Sequence, residues 1–379
     1  MNAIYSFCGG SQPSRPTLNT EPVWMLGVRY QRKEGATDDE RQSLVEQQEA
    51  AFPEFVEDFR SRLYITYRKD FPAIHDTFYT SDMGWGCMMR SGQMMFGQAL
   101  LTHFLGRGFR KKPGSAPQEY FSVLKLFADS PAAPFSIHNL AQMGLETGKQ
   151  IGEWFTPSDI SVALRKLSER FLKNQIAVYV SDDGMVYRDE VQALGCAGAG
   201  APAAAADGGK AEAAEDGEWN QSVVILIPLR LGLGNLNEIY SACIQQLFRF
   251  PQSLGIAGGK PKASLYFVAS QGEKLFYLDP HQVAPTVDMS RVPFDTSSYH
   301  CNAIHMLSVK ELDPSLTIGF YCRNSRDFDA FCDSAKEAES QMGGTHLFGI
   351  AQTRPQYGSS DVSWPESEHF ITEDDFVSI

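Results

Sequence analysis

The sequence predicts an α+β fold, and three observations carry that prediction. From Cys87 to about Leu105, apolar residues cover nearly every helical face: Met88, Met89, Met94, Met95, Phe96, Ala99, Leu100, Leu101, Phe104 and Leu105. A helix that is apolar all round belongs inside a large domain. Val223-Val224-Ile225-Leu226-Ile227 is a short continuous apolar run, as a buried central strand shows. Residues 265–269 and 275–278 flank Gln271-Gly272-Glu273 in a hairpin pattern. With 379 residues, 43% of them hydrophobic, the chain can close a substantial core.

The remaining elements follow in order. Residues 1–20, with Gly9-Gly10, Pro13 and Pro16, read as a flexible N-terminal arm. Residues 23–30 read as one strand, and residues 55–63 as a helix leading into Tyr64-Ile65-Thr66-Tyr67. A helix opens at Thr156-Pro157, with proline at its first position. Its stripe of Ile160, Leu164, Leu167 and Phe171 has the spacing of one helical face. Residues 176–180 form a strand. Residues 193–217 are rich in Ala and Gly and read as a flexible surface loop inside the domain. After the 223–227 run, Leu236, Ile239, Tyr240, Cys243, Ile244, Leu247 and Phe248 mark a helix. Asn235 is its expected N-cap, with Glu238 completing a capping box. A strand over 316–321 and a helix through Phe328, Phe331, Cys332 and Ala335 close the domain, expected to span 21–354. From Pro355 onward there are six acidic residues and no Lys or Arg, the composition of a disordered tail.

The formal net charge of −13 argues against an extended nucleic-acid or anionic-membrane surface. The seven cysteines show no Cys-x-x-Cys pair. The N-terminus has no secretory pattern, and no apolar run approaches the roughly 20 residues of a membrane span. The expected compartment is the reducing cytoplasm, with free thiols.

A free thiol directs attention to Cys87, in Gly84-Trp85-Gly86-Cys87. At a helix N-terminus, orphan N–H groups and the helix dipole stabilise a thiolate. The flanking glycines leave the sulfur unhindered, and the Cys87 N–H would point at a developing oxyanion. The plain alternative is a small buried hydrophobe. A nucleophile needs a base, and the base needs an orienting group. Asp279-Pro280-His281 offers both, because positions i and i+2 of an extended segment share a side. The alternative there is an exposed Asp-Pro turn with an incidental histidine. His75 lies in a loop, His103 on the buried helix, and His138 at a helix start. His305 reads as a core histidine in a strand.

Gly232-Leu233-Gly234 mimics a dinucleotide loop, but its third glycine position holds Asn237 and no βαβ pattern surrounds it. His300, Cys301 and His305 lack a second ligand pair for zinc. No metal or other cofactor is expected. At the C-terminus, acidic Glu373-Asp374-Asp375 precede Phe376, and Ile379 follows three residues later. An extended segment of this kind can pair with a sheet edge, its two apolar side chains entering separate pockets. The alternative is a solvated acidic tail.

Five stretches together resemble the autophagins, the autophagy-related cysteine proteases. They are residues 66–72 (Thr-Tyr-Arg-Lys-Asp-Phe-Pro), 80–94 (Thr-Ser-Asp-Met-Gly-Trp-Gly-Cys-Met-Met-Arg-Ser-Gly-Gln-Met), 148–154 (Gly-Lys-Gln-Ile-Gly-Glu-Trp), 251–261 (Pro-Gln-Ser-Leu-Gly-Ile-Ala-Gly-Gly-Lys-Pro) and 277–281 (Tyr-Leu-Asp-Pro-His). The resemblance implies a papain-like catalytic domain with a small additional subdomain, placed within about 110–220. It implies cleavage of a ubiquitin-like autophagy modifier after a glycine, and release of that modifier from phosphatidylethanolamine. The expected partner is therefore the modifier, as precursor and as lipid conjugate, with membranes reached only through the substrate. By motif, Cys87 is the nucleophile, His281 the base, Asp279 its orienter, and Tyr67 a stabiliser of the oxyanion. Trp154 and Pro251 resemble elements that cover the cleft, and Phe376 with Ile379 a modifier-binding tail motif. Ser91 stands where some relatives carry a second cysteine, which removes redox control through that neighbour. The competing readings are a catalytically weak modifier-binding adaptor and a thiol protease for another ubiquitin-like protein.

Overall fold

The computed structural model describes residues 21–34, 50–112, 114–197, 219–260 and 263–355. In chain order its elements are β1 (Val23–Met25), β2 (Val28–Tyr30), α1 (Pro53–Arg60), β3 (Tyr67–Lys69), α2 (Cys87–Leu105), α3 (Gln118–Lys125), α4 (Ile137–Leu145), α5 (Pro157–Phe171), β4 (Ile176–Val180), β5 (Met185–Tyr187), α6 (Arg188–Cys196), β6 (Ser222–Arg230), α7 (Ser241–Leu247), β7 (Ser253–Lys260), β8 (Ala263–Gln271), β9 (Lys274–Leu278), β10 (Val283–Pro285), β11 (His305–Ser308), β12 (Ser315–Cys322), α8 (Ser325–Gln341) and β13 (Gly349–Ala351). The main sheet runs β11-β9-β8-β7-β12-β6-β4, and the β1–β2 hairpin pairs along β8. Only the β4–β6 pairing in that path is parallel.

The apolar run in β6 is continuous because both faces of the sheet are covered. Successive side chains of a strand point to opposite faces. Val223, Ile225 and Ile227 accordingly join a cluster with Ile244 and Leu247 of α7 and Phe328 and Phe331 of α8. Val224 and Leu226 join the opposite cluster, with Met94 and Leu100 of α2 and Ile160 and Leu164 of α5. Tyr120 and Leu124 of α3 and Leu140 of α4 belong to that same α2-side core. The result is an α+β, papain-like architecture in which α2 is wholly enclosed over its first fifteen residues. Gly319 of β12 shows how close α2 approaches: a Cβ there would lie 2.7 Å from the Met95 sulfur.

The expected boundaries of α2, α5 and β4 agree with the structure. In α5 the Thr156 hydroxyl and Asp159 carboxylate form a reciprocal capping box ahead of Pro157. Four expectations need correction. Residues 23–30 form two antiparallel strands, not one, because Leu26 (φ 45°) and Gly27 (φ 84°) turn the chain. A Cβ on Gly27 would also stand 2.6 Å from the Pro251 Cα. The helix placed at 55–63 is α1, which begins at Pro53 and ends at Arg60. The helix expected from Leu236 is a 3-10 turn followed by the seven-residue α7. The cap is Asn237, which accepts the Ile239 N–H, rather than Asn235. Within the Ala/Gly stretch, residues 193–196 complete α6 and residues 198–217 lie outside the described residues. The N-terminal arm (1–20) and residues 356–379 of the tail also lie outside them.

Candidate active site

Cys87 is the first residue of α2 and follows Gly86, which caps the helix through backbone alone. No side chain competes there for the first-turn N–H groups, so their partial positive charge falls on the sulfur. The His281 side chain, the Ser264 backbone and the Tyr67 hydroxyl all lie close enough to the thiol to favour its charged form. Ser264 is the second residue of β8, so the start of this strand faces the helix N-terminus. Ser91, one turn along α2, donates to the Cys87 carbonyl at 3.0 Å and meets the Ser264 hydroxyl at 2.8 Å.

His281 follows the end of β9 and is held from behind. Its Nδ1 lies 2.5 Å from Asp279 Oδ1, and the same oxygen accepts the His281 backbone N–H at 3.0 Å. With Nδ1 engaged, Nε2 is the nitrogen left for the thiol. The Asp279-Pro280-His281 turn is itself tied to the chain around Tyr67. The Tyr64 hydroxyl donates to the Asp279 carbonyl at 2.7 Å. The Tyr67 N–H donates to the Pro280 carbonyl at 2.8 Å, and β3 pairs in parallel with β10 just beyond. The Tyr67 ring meets the His281 ring edge-on at 5.4 Å.

Electrostatics reinforce the geometry. Burial pushes the Cys87 thiol up, but the hydrogen bond and charge of His281, aided by the Ser264 N–H and Tyr67, bring it below its ordinary value. Burial pulls His281 down, but Asp279 and Cys87 together raise it to about 9. Burial likewise works against ionised Asp279, and the His281 contacts still hold it below the usual carboxylate range. The two shifts across the Cys87–His281 contact agree in direction and favour a thiolate beside an imidazolium. Burial and the neighbouring Cys87 charge push Tyr67 well above an ordinary tyrosine, so it stays protonated as a donor.

The glycines of the turn have separate reasons. Gly84 adopts φ 88°, a conformation few other residues accept. Its carbonyl accepts the Trp154 indole N–H at 2.5 Å, and its backbone lies near the Tyr67 hydroxyl. Trp154, with 49% of its surface exposed, thus lies against the turn that precedes Cys87. Gly86 has no room for a Cβ, because the Asp82 carboxylate occupies that space.

The structure therefore gathers Cys87, Asp279, His281, Tyr67 and Trp154. It does not bring Pro251 to them. Pro251 is exposed in the turn between α7 and β7, packed against Gly27. The Cys87 side of the hairpin is the other end of β7, eight residues away, or roughly 25 Å of strand. Phe376 and Ile379 lie outside the described residues. His305 is exposed on β11, stacked on Tyr277, rather than in the core. An edge strand exposes one face, which its short apolar neighbours concealed. His138 is buried and bonds the Pro72 carbonyl at 2.6 Å. A Cβ on Gly232 would overlap the Asn235 carbonyl, which accounts for that glycine without a nucleotide. Among the described residues, no group of three or more His, Cys, Asp or Glu is arranged to hold a metal, and no helix is long and apolar enough to cross a membrane.

Three contributors carry no sequence expectation: Ser264, Tyr64 and the buried pair Asp82–Arg90. Ser264 supplies a backbone group, which leaves no side-chain signature. Arg90 did leave one, since a guanidinium on an otherwise apolar helix requires a buried carboxylate.

Residues 52–334 match the peptidase C54 catalytic domain. The chain is 39% identical to the cysteine protease ATG4B of Gallus gallus, covering 90% of this chain and 86% of that one. It is 40% identical to the cysteine protease ATG4 of Medicago truncatula and 41% to the cysteine protease ATG4A of Oryza sativa subsp. indica, covering 94% and 93% of this chain and 74% of each relative. The chain belongs to the peptidase C54 family, the autophagins, and so to the autophagy-related cysteine proteases.

Proposed function

We propose that this protein cuts a ubiquitin-like autophagy modifier after a glycine near its C-terminus and also releases the modifier from phosphatidylethanolamine, acting in the cytoplasm. The observation that carries the reading is the placement of the Cys87 thiol, at the N-terminus of a buried helix, beside a His281 ring that is hydrogen-bonded through Nδ1 to Asp279. In this reading the Cys87 thiolate attacks the glycine carbonyl. The Tyr67 hydroxyl and the Cys87 N–H receive the negative charge that forms on its oxygen. His281, already protonated, gives its proton to the leaving amine as the C–N bond breaks, leaving an acyl-enzyme. Water then attacks the thioester, His281 takes its proton, and the modifier leaves with a free carboxylate. The leaving amine is a peptide nitrogen in one reaction and the lipid ethanolamine in the other, so one site serves both.

Trp154 covers the turn and is proposed to gate the approach of a narrow glycine-containing tail. Phe376 and Ile379 are proposed to hold the modifier from a second position. The test uses vesicles carrying the phosphatidylethanolamine conjugate. Release of modifier by wild-type protein, abolished in Cys87→Ala, supports the reading. Conjugate that stays on the vesicles while a precursor is cut would remove the lipid half of it.

A further inference from the structure

The hydroxyl and the sulfur proposed to meet at the carbonyl arrive on separate segments, Tyr67 on β3 and Cys87 on α2. One fully buried carboxylate joins them. Asp82 Oδ1 accepts the Arg68 backbone N–H at 2.7 Å, immediately beside Tyr67. Arg90 is three residues after Cys87, on the same face of α2. It grips both carboxylate oxygens, Nε to Oδ2 at 2.8 Å and Nη2 to Oδ1 at 3.0 Å. The Asp82 carbonyl accepts the N–H groups of Trp85 and Gly86 at 3.2 and 2.9 Å, and the carboxylate packs where a Gly86 Cβ would stand. On the outer side, the Arg68 guanidinium bonds the Ser298 hydroxyl and the Pro285 carbonyl and lies over the Tyr299 ring. Taking both charges of such a pair out of water is costly, and packed apolar residues would fill the space without loss of stability. An apolar pair cannot, however, accept the Arg68 N–H and grip α2 at once.

The geometry points to Asp82 as a positioning residue that fixes the Tyr67 hydroxyl relative to the Cys87 thiol, with Arg90 as its clamp; this rests on Cys87 being the nucleophile. A shift of about 1 Å between reacting groups can cost about 10²-fold in rate. Asp82 touches neither the thiol nor, in this reading, the substrate.

The same guanidinium provides the control. Arg90 also pairs with Asp129 at 2.9 Å, and Asp129 approaches the Arg68 guanidinium at 4.0 Å, but no hydrogen bond joins it to the Arg68 backbone N–H and it does not occupy the space beside Gly86. Asp82→Asn and Asp129→Asn each remove one charge from Arg90, but only the first alters the group that holds the backbone beside Tyr67. Two readouts are taken on folded protein: kcat and KM for precursor cleavage, and the pH dependence of Cys87 alkylation by iodoacetamide. The expected result for Asp82→Asn is a kcat loss of about 10²-fold with KM nearly unchanged, and an alkylation limb moved toward an ordinary thiol. Asp129→Asn should leave both close to wild type. Should Asp82→Asn not fold, Arg90→Lys keeps the charge without the two-point grip and is expected to show the same split. A wild-type kcat and alkylation limb in the joint variant, or equal losses in Asp129→Asn, would overturn the proposal. Alkylation needs no modifier, so a failure of the substrate reading alone leaves that arm decisive.

Discussion

Asp279 and His281 face one another across a single proline, Nδ1 to Oδ1 at 2.5 Å, and the carboxylate also takes the histidine's own backbone N–H. A two-residue spacing thus fixes both the ring's tautomer and its direction. Asp279→Asn keeps the size of the side chain but can present its amide to Nδ1 and favour the wrong tautomer. A kcat loss of roughly 10²- to 10⁴-fold is expected in peptide cleavage with the fold intact. Steady-state kinetics with circular dichroism as the folding check would measure it. Retention of wild-type kcat would assign Asp279 a purely structural role.

The pH profile follows from the two shifts at the thiol. A thiolate beside an imidazolium exists above the lowered Cys87 pKa and below the His281 value of about 9. Activity should form a bell. Its acid limb, where the thiolate is protonated, should lie below the ordinary thiol value of about 8.5, and its alkaline limb near about 9. His281→Ala should move the alkylation limb of Cys87 upward. A thiol titrating normally in wild type, and unmoved by that substitution, would contradict an activated pair.

Tyr67 stays protonated through the working range, because burial and Cys87 both oppose its ionisation. Tyr67→Phe removes the hydroxyl while keeping the ring against His281. The expected loss is about 10²-fold in kcat, the scale for one oxyanion donor. Rates within twofold of wild type would exclude that role.

Trp154 is tied to the turn before Cys87 by a hydrogen bond to the Gly84 carbonyl. Trp154→Ala should expose the sulfur and raise its alkylation rate by a small neutral reagent several-fold, while lowering kcat/KM for the modifier. An unchanged alkylation rate would show that the indole does not cover the thiol.

Gly86→Ala places a methyl against the Asp82 carboxylate. A destabilisation of about 1–3 kcal/mol is expected from this overpacking, together with weakened Cys87 reactivity. Chemical denaturation measures the first and alkylation the second. Wild-type values for both would mean that the turn yields freely.

Much of this fold was legible in local pattern. α2, α5 and β4 declared themselves through period, capping and length, and β6 through an apolar run that two covering layers require. The reversal at Leu26-Gly27 was not legible, because it depends on Gly27 packing against Pro251, distant in sequence. The same distance explains Pro251: its motif neighbours run along β7 toward the site, while the proline itself stays at the far end. Within the site, the grouping of Cys87, His281 and Asp279, whose proposed roles are nucleophile, base and orienter, was legible because these side-chain types stand at telling positions. The Asp82–Arg90 joint was hidden, since Arg90 demands a carboxylate without saying which one. Ser264 acts through its main chain, which any residue but proline could supply.

The most direct test of the central claim is cleavage of a purified modifier precursor, with mass spectrometry of the product's new C-terminus. Wild-type protein should leave a C-terminal glycine, and Cys87→Ala should leave the precursor whole. An intact precursor with wild type, or equal cleavage by Cys87→Ala, would contradict Cys87 as the nucleophile of a modifier-processing protease.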